Sequence, residues 1–106
     1  MVEPQTVSEL LSRLEQQGYT KDFRAKGEEL CILPDNIRID PAKLMVDAIH
    51  RFEGDTDLND EEMVFALSCP QLGIKGTYVV AFGSMMDPAD ARIVQRLKKQ
   101  GQKKTT

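Results

Sequence analysis

Apolar positions in this chain follow two different periods. Val7, Leu10, Leu11 and Leu14 recur at helical spacing; the runs that follow are strand-like; Ala89, Ile93 and Leu97 return to a spacing of four. This order predicts a helix, a set of short strands and a second helix. Thr6-Val7-Ser8-Glu9 is a capping box, in which the Thr6 hydroxyl can accept from the Glu9 amide and the Glu9 carboxylate can reach back. It predicts a helix over 7–17, stopped at Gly18, where glycine adopts a left-handed turn at least cost. Asp87-Pro88-Ala89-Asp90 opens the second helix, with Asp87 as N-cap, Pro88 in the first turn and acid again at Asp90.

Between the helices the punctuation is that of a sheet. Residues 19–26 read as an exit turn and strand, and Lys26-Gly27 can reverse the chain. A second run, 28–33, stops at Pro34-Asp35-Asn36. Ile37 and Ile39 flank Arg38 as one more extended pair, and Asp40-Pro41 predicts a short helical turn over 41–44. Met45 to Phe52 is extended with imperfect alternation. Met63, Phe65, Leu67 and Cys69 alternate cleanly against Val64, Ala66 and Ser68, and 77–82 is rich in β-branched and aromatic residues. Short links favour antiparallel neighbours. The expected fold is α+β: an N-terminal helix, an antiparallel meander of about three to five short strands, and a C-terminal helix, with both helices packed on one face of the sheet.

Size and composition agree with one domain. The 106 residues are 41% hydrophobic and 29% charged, ordinary for a globular chain. The expected domain runs over 6–99, with a flexible N-terminus at 1–5 and a flexible basic tail at 100–106. No apolar run approaches the ~18 residues of a membrane span. The N-terminus lacks the basic start and apolar stretch of a secretory signal, so the expected compartment is cytoplasmic. Cys31 and Cys69 then read as buried free thiols, a disulfide being the alternative if strands bring them together.

The formal net charge of −3 hides an asymmetry. All 17 acidic residues lie in 1–91, whereas Arg92, Arg96, Lys98, Lys99, Lys103 and Lys104 follow with no acid among them. Such a stretch could meet phosphate or an acidic partner, but cations also gather at helix C-termini to complement the dipole. On an acidic body it would tend to fold back on its own protein.

Catalytic constellations are weak. Asp55, Asp57 and Asn59 match the first ligand positions of a calcium loop, but Asp60 stands where its glycine belongs and Ala66 where its glutamate belongs. His50 is the only histidine, so a zinc site has too few donors, and a Cys–His pair would have to be assembled from distant residues. Met85-Met86 reads as packing where a strand turns into a helix. No phosphate loop is present. Arg51 and Glu53 should project from one sheet face with Phe52 on the other. No cofactor and no metal is expected.

Gly18-Tyr19-Thr20-Lys21-Asp22-Phe23, Arg51-Phe52-Glu53-Gly54, Val64-Phe65-Ala66-Leu67-Ser68 and Gly76-Thr77-Tyr78-Val79-Val80 together resemble a family of small bacterial proteins of about this length. Its members often carry the label phosphoribosylpyrophosphate synthetase. The resemblance would cover most of 6–99, and Tyr19, Asp22, Phe23, Arg51 and Glu53 match its motifs. It implies a binding site for a phosphorylated sugar or nucleotide. The enzyme of that name needs a ribose-phosphate loop, an ATP site and a far longer chain, which this sequence does not offer. The order of elements also resembles a double-stranded RNA-binding domain, yet Asp87 and Asp90 stand where such domains grip phosphate with cations. The expectation is therefore a non-enzymatic binding or interaction module that meets a protein partner through a sheet face or edge strand. An enzyme or binding protein for a phosphorylated sugar or nucleotide is the alternative, and a nucleic-acid binder the second.

Overall fold

The structure, a computed structural model, describes residues 6–53, 61–82 and 86–103. The termini and the acidic loop with its calcium-like spacing lie outside the described residues. Helix α1 (Val7–Gln16) begins as the capping box dictates: the Glu9 amide donates to Thr6 Oγ1 at 3.1 Å. The Glu9 carboxylate is met by the Thr6 hydroxyl at 3.3 Å. Six strands follow: β1 (Lys21–Lys26), β2 (Glu29–Leu33), β3 (Ile37–Ile39), β4 (Met45–Glu53), β5 (Glu61–Cys69) and β6 (Ile74–Phe82). Between β3 and β4 a 3₁₀ turn, Pro41–Lys43, is capped by the Asp40 carboxylate, which accepts from the Ala42 amide at 2.9 Å. Helix α2 (Pro88–Lys103) closes the fold, with Asp87 Oδ1 accepting from the Ala89 amide at 2.9 Å. Its helical backbone continues past residue 99, where the sequence placed the start of the tail.

The sheet order is β3-β2-β1-β6-β5-β4. Two antiparallel meanders, β1–β2–β3 and β4–β5–β6, lie side by side. They are joined where β1 runs parallel to β6, at Lys21↔Gly76 and Asp22↔Thr77. The expected all-antiparallel meander is thus corrected to a mixed six-stranded sheet. Short links fix the direction of sequence neighbours only, and β1 and β6 are not neighbours in sequence. A Cβ on Gly76 would lie 2.4 Å from the Lys21 carbonyl oxygen and 2.7 Å from the Phe23 ring. The seam therefore requires glycine there.

The expectation that both helices share a face is also corrected: they lie on opposite faces. Leu10 and Leu14 of α1 pack on Val64 and Ala66, with Val79, Ala48 and Phe52 around them. Ile93, Val94 and Leu97 of α2 pack on Met63, Phe65, Leu67, Tyr78 and Phe23. Strand β5 is apolar on both sides, so neither face of it can be left to water.

Geometry makes the α2 face the hollow one. In a flat sheet β3 and β4 would stand about 24 Å apart, five strand spacings. Only residues 40–44 connect them, with a reach of about 20 Å at full stretch. The sheet must coil, as its natural twist favours, and α2 fills the concavity. Ile39, Ile32, Phe23, Val80, Phe65 and Val46, one from each strand, all join that core. Tyr78 is buried there, its hydroxyl donating to the Asp90 carboxylate on α2. Burial first, then the bond and charge of Asp90, push its phenol far above the ordinary value of 10.0. The basic stretch folds back on the protein: Arg96 meets Asp40 at 2.7 Å and Arg92 meets Glu28 at 3.7 Å.

Candidate functional site

On the convex face α1 covers part of the sheet, and among the described residues no other element lies over the rest. Its cluster draws on β4, β5 and β6. Over β1, β2 and β3 the side chains of Arg24, Lys26, Glu29 and Arg38 are exposed. Along the boundary runs a groove of about 600 Å³. Val7, Leu11 and Val79 give it apolar surface; Glu15, Lys21, Asp22, Arg24 and Glu62 give it charge. Both cations are already matched, Arg24 Nε lying 3.1 Å from Asp22 within the groove and Lys21 Nζ 2.8 Å from Asp35 beside it.

The floor of one end is set by how α1 stops. Gly18 takes φ 103, the Tyr19 amide donates to the Leu14 carbonyl at 3.0 Å, and the Gly18 amide donates to Glu15 at 3.1 Å. This paired arrangement swings Tyr19 onto the sheet. The Tyr19 hydroxyl donates to Asp47 Oδ2 at 2.8 Å, Ser68 donates to Asp47 Oδ1 at 3.3 Å, and the Lys75 ammonium stands 5.3 Å from the Tyr19 ring centre. Asp47 sits at the register break between Val46 and Ala48. Burial, followed by the bond to Asp47 and its negative charge, raises the Tyr19 phenol above 10.0.

Of the residues picked from the sequence, Tyr19 and Asp22 line the groove together. Phe23 does not: it points to the other face and is buried against α2. Arg51 is opposite Met63, a residue of the α2-side core, and so projects from that same other face, while Phe52 joins the α1 side. Glu53 ends β4, in register with Glu61. The motif residues therefore do not form one site. Each strand alternates its faces, so adjacency in sequence separates Asp22 from Phe23. Asp47, Ser68 and Lys75 were missed, although the broken alternation at Val46-Asp47-Ala48 was the signal of a bulge.

Cys31 and Cys69 are both buried and free. Cys69 belongs to the α2-side core, whereas Cys31, between Arg24 and Arg38 in register, lies on the convex side and donates to Asn36 Oδ1 at 3.0 Å. The disulfide alternative is excluded by the sheet between them. Neither thiol is paired with His50: Cys69 faces the other way, and three strands separate Cys31 on β2 from His50 on β4. Met86 packs against the α2-side core, as a gap-filling methionine should. Among the described residues no group of three or more His, Cys, Asp or Glu side chains could hold a metal ion, and no helix is long and apolar enough to cross a membrane. No protein-family model, curated protein or solved structure matches the chain.

Proposed function

We propose that this protein is a non-enzymatic interaction module whose docking surface is the groove beside α1 and the bare sheet face next to it. The observation that supports this most is the pairing of charges in the groove. A phosphate site gathers donors of one sign, free to turn toward the anion; here Lys21 and Arg24 are engaged by Asp35 and Asp22, with Glu15 and Glu62 nearby. Apolar patches interleaved with both signs of charge suit a polypeptide. This weighs against the phosphorylated-sugar reading and against nucleic acid alike.

The test is peptide display against the immobilised chain, with Leu11→Lys as the counter-selection. Leu11 is half-buried in the groove wall, and retained circular dichroism would show that the variant folds. Binders lost on Leu11→Lys are the expected result; a selection yielding none would sink the reading. Amide NMR shifts at 18–24 on adding ribose 5-phosphate with Mg·ATP would favour the phosphorylated-ligand alternative instead.

A further inference from the structure

We infer that the occupant of this surface is helix α1 of a second copy of the chain. The inference rests on the docking reading above and names its partner. The outward residues of α1 are Ser8, Glu9, Ser12, Glu15 and Gln16, all exposed, with two acids and no base among them. The bare part of the convex face presents Arg24, Lys26 and Arg38 against Asp22 and Glu29; Arg24 is held by Asp22 and Lys26 stands in register with Glu29, so bases outnumber acids there by Arg38. An acidic helix and a basic-leaning sheet face thus stand side by side on one surface, in complementary sign.

That layout is self-complementary. Turned about a twofold axis, α1 of each copy rests on β1–β3 of the other, and the two helices run antiparallel along their grooves. At 100° per residue Ser8, Ser12 and Glu15 flank Leu11 on the groove side of α1. Serines there let the helices approach closely, and half-buried Val7 and Leu11 meet their counterparts. Glu15 of each copy then faces Arg38 of the other. Among the described residues the α2 face offers no such match, since its helix already fills it.

A ten-residue helix on three strands makes a contact at the low end of specific interfaces. The dimer should therefore be weak and salt-sensitive. Sedimentation equilibrium of the full chain from about 10 µM to about 1 mM should show a mass rising from 11.9 kDa toward twice that value. Ser12→Lys with Glu15→Lys reverses the helix; Arg24→Glu with Arg38→Glu reverses the sheet. Each double variant should remain monomeric, because both symmetric contacts become repulsive. Their equimolar mixture should dimerise again, because both contacts are then restored.

A wild-type chain monomeric throughout, a dimer that survives both double variants, or a mixture no heavier than its components would each overturn the second copy as occupant. Peptide capture that depends on Leu11 would survive such a failure. The docking surface would then stand with another partner, and the two conclusions fail separately.

Discussion

The two faces of the sheet are dressed unequally. The concave face is filled by α2 and by side chains from every strand. The convex face carries the shorter α1, set over one meander, and leaves the other exposed. The difference divides labour: the hollow side supplies the core, and the outer side supplies surface that can be changed without unfolding the chain. A tyrosine marks each side, Tyr78 within the core and Tyr19 at the stop of α1, and they are the only two in the chain.

The comparison can be broken first at its hinge. Gly76→Ala would drive a Cβ into the Lys21 carbonyl and the Phe23 ring, with an expected loss of about 3 kcal/mol or more in denaturant unfolding. A variant as stable as wild type would mean that the two meanders are not held where described. Truncation then contrasts the faces directly. Ile93→Ala on the buried side should cost about 3–4 kcal/mol, whereas Leu11→Ala in the groove wall should cost about 1 kcal/mol. Equal losses would erase the division.

Alkaline titration sharpens it. The absence of tryptophan leaves tyrosine absorbance clean. Both phenols are raised, so their contribution to stability is complete below the ordinary 10.0 and is lost as pH climbs through the folded values. Native protein should show less phenolate at pH 10 than the unfolded chain, Tyr19 should ionise first, and Tyr78 only as the fold gives way. Tyr19→Phe should delete the earlier phase alone.

The smallest effect lies at Asp40. The Ala42 amide, foremost, and Arg96 lower its carboxyl below 3.8. Its contribution is present above the ordinary value and is lost as pH falls through the lower folded one. With both partners substantially exposed, Asp40→Asn should cost under about 1 kcal/mol, and that loss should fade in acid.

Both helices and the runs that become strands were legible from period and punctuation, because caps, glycines and prolines act locally, although the sheet holds six strands where about three to five were expected. Thr6, Gly18, Asp40 and Asp87 each do what their residue type requires. The opposed helices were written in β5, whose Val64 and Ala66 are as apolar as Met63 and Phe65 opposite them, but a strand with two apolar sides shows only that both are covered, not by what. The parallel join was not legible, since direction between strands distant in sequence depends on the whole path of the chain. Tyr19 and Asp22 share one groove while Phe23 and Arg51 do not, because alternation along β1 and β4 turns the latter two to the α2 face.

Lys21 and Gly76 touch in space but lie more than half the chain apart. Each meander closes through short loops; the seam must wait for the longest loop of any strand pairing, and such contacts form late and open early. Within the sheet, two locally knitted halves are zipped along a line only two residue pairs long, with α2 packed across both. The groove runs over that line, touching Asp22 and Arg24 on one half and Thr77 and Val79 on the other. Whatever lies in it grips both halves at once, and so acts as a splint, slowing hydrogen exchange at the seam in proportion to its own affinity.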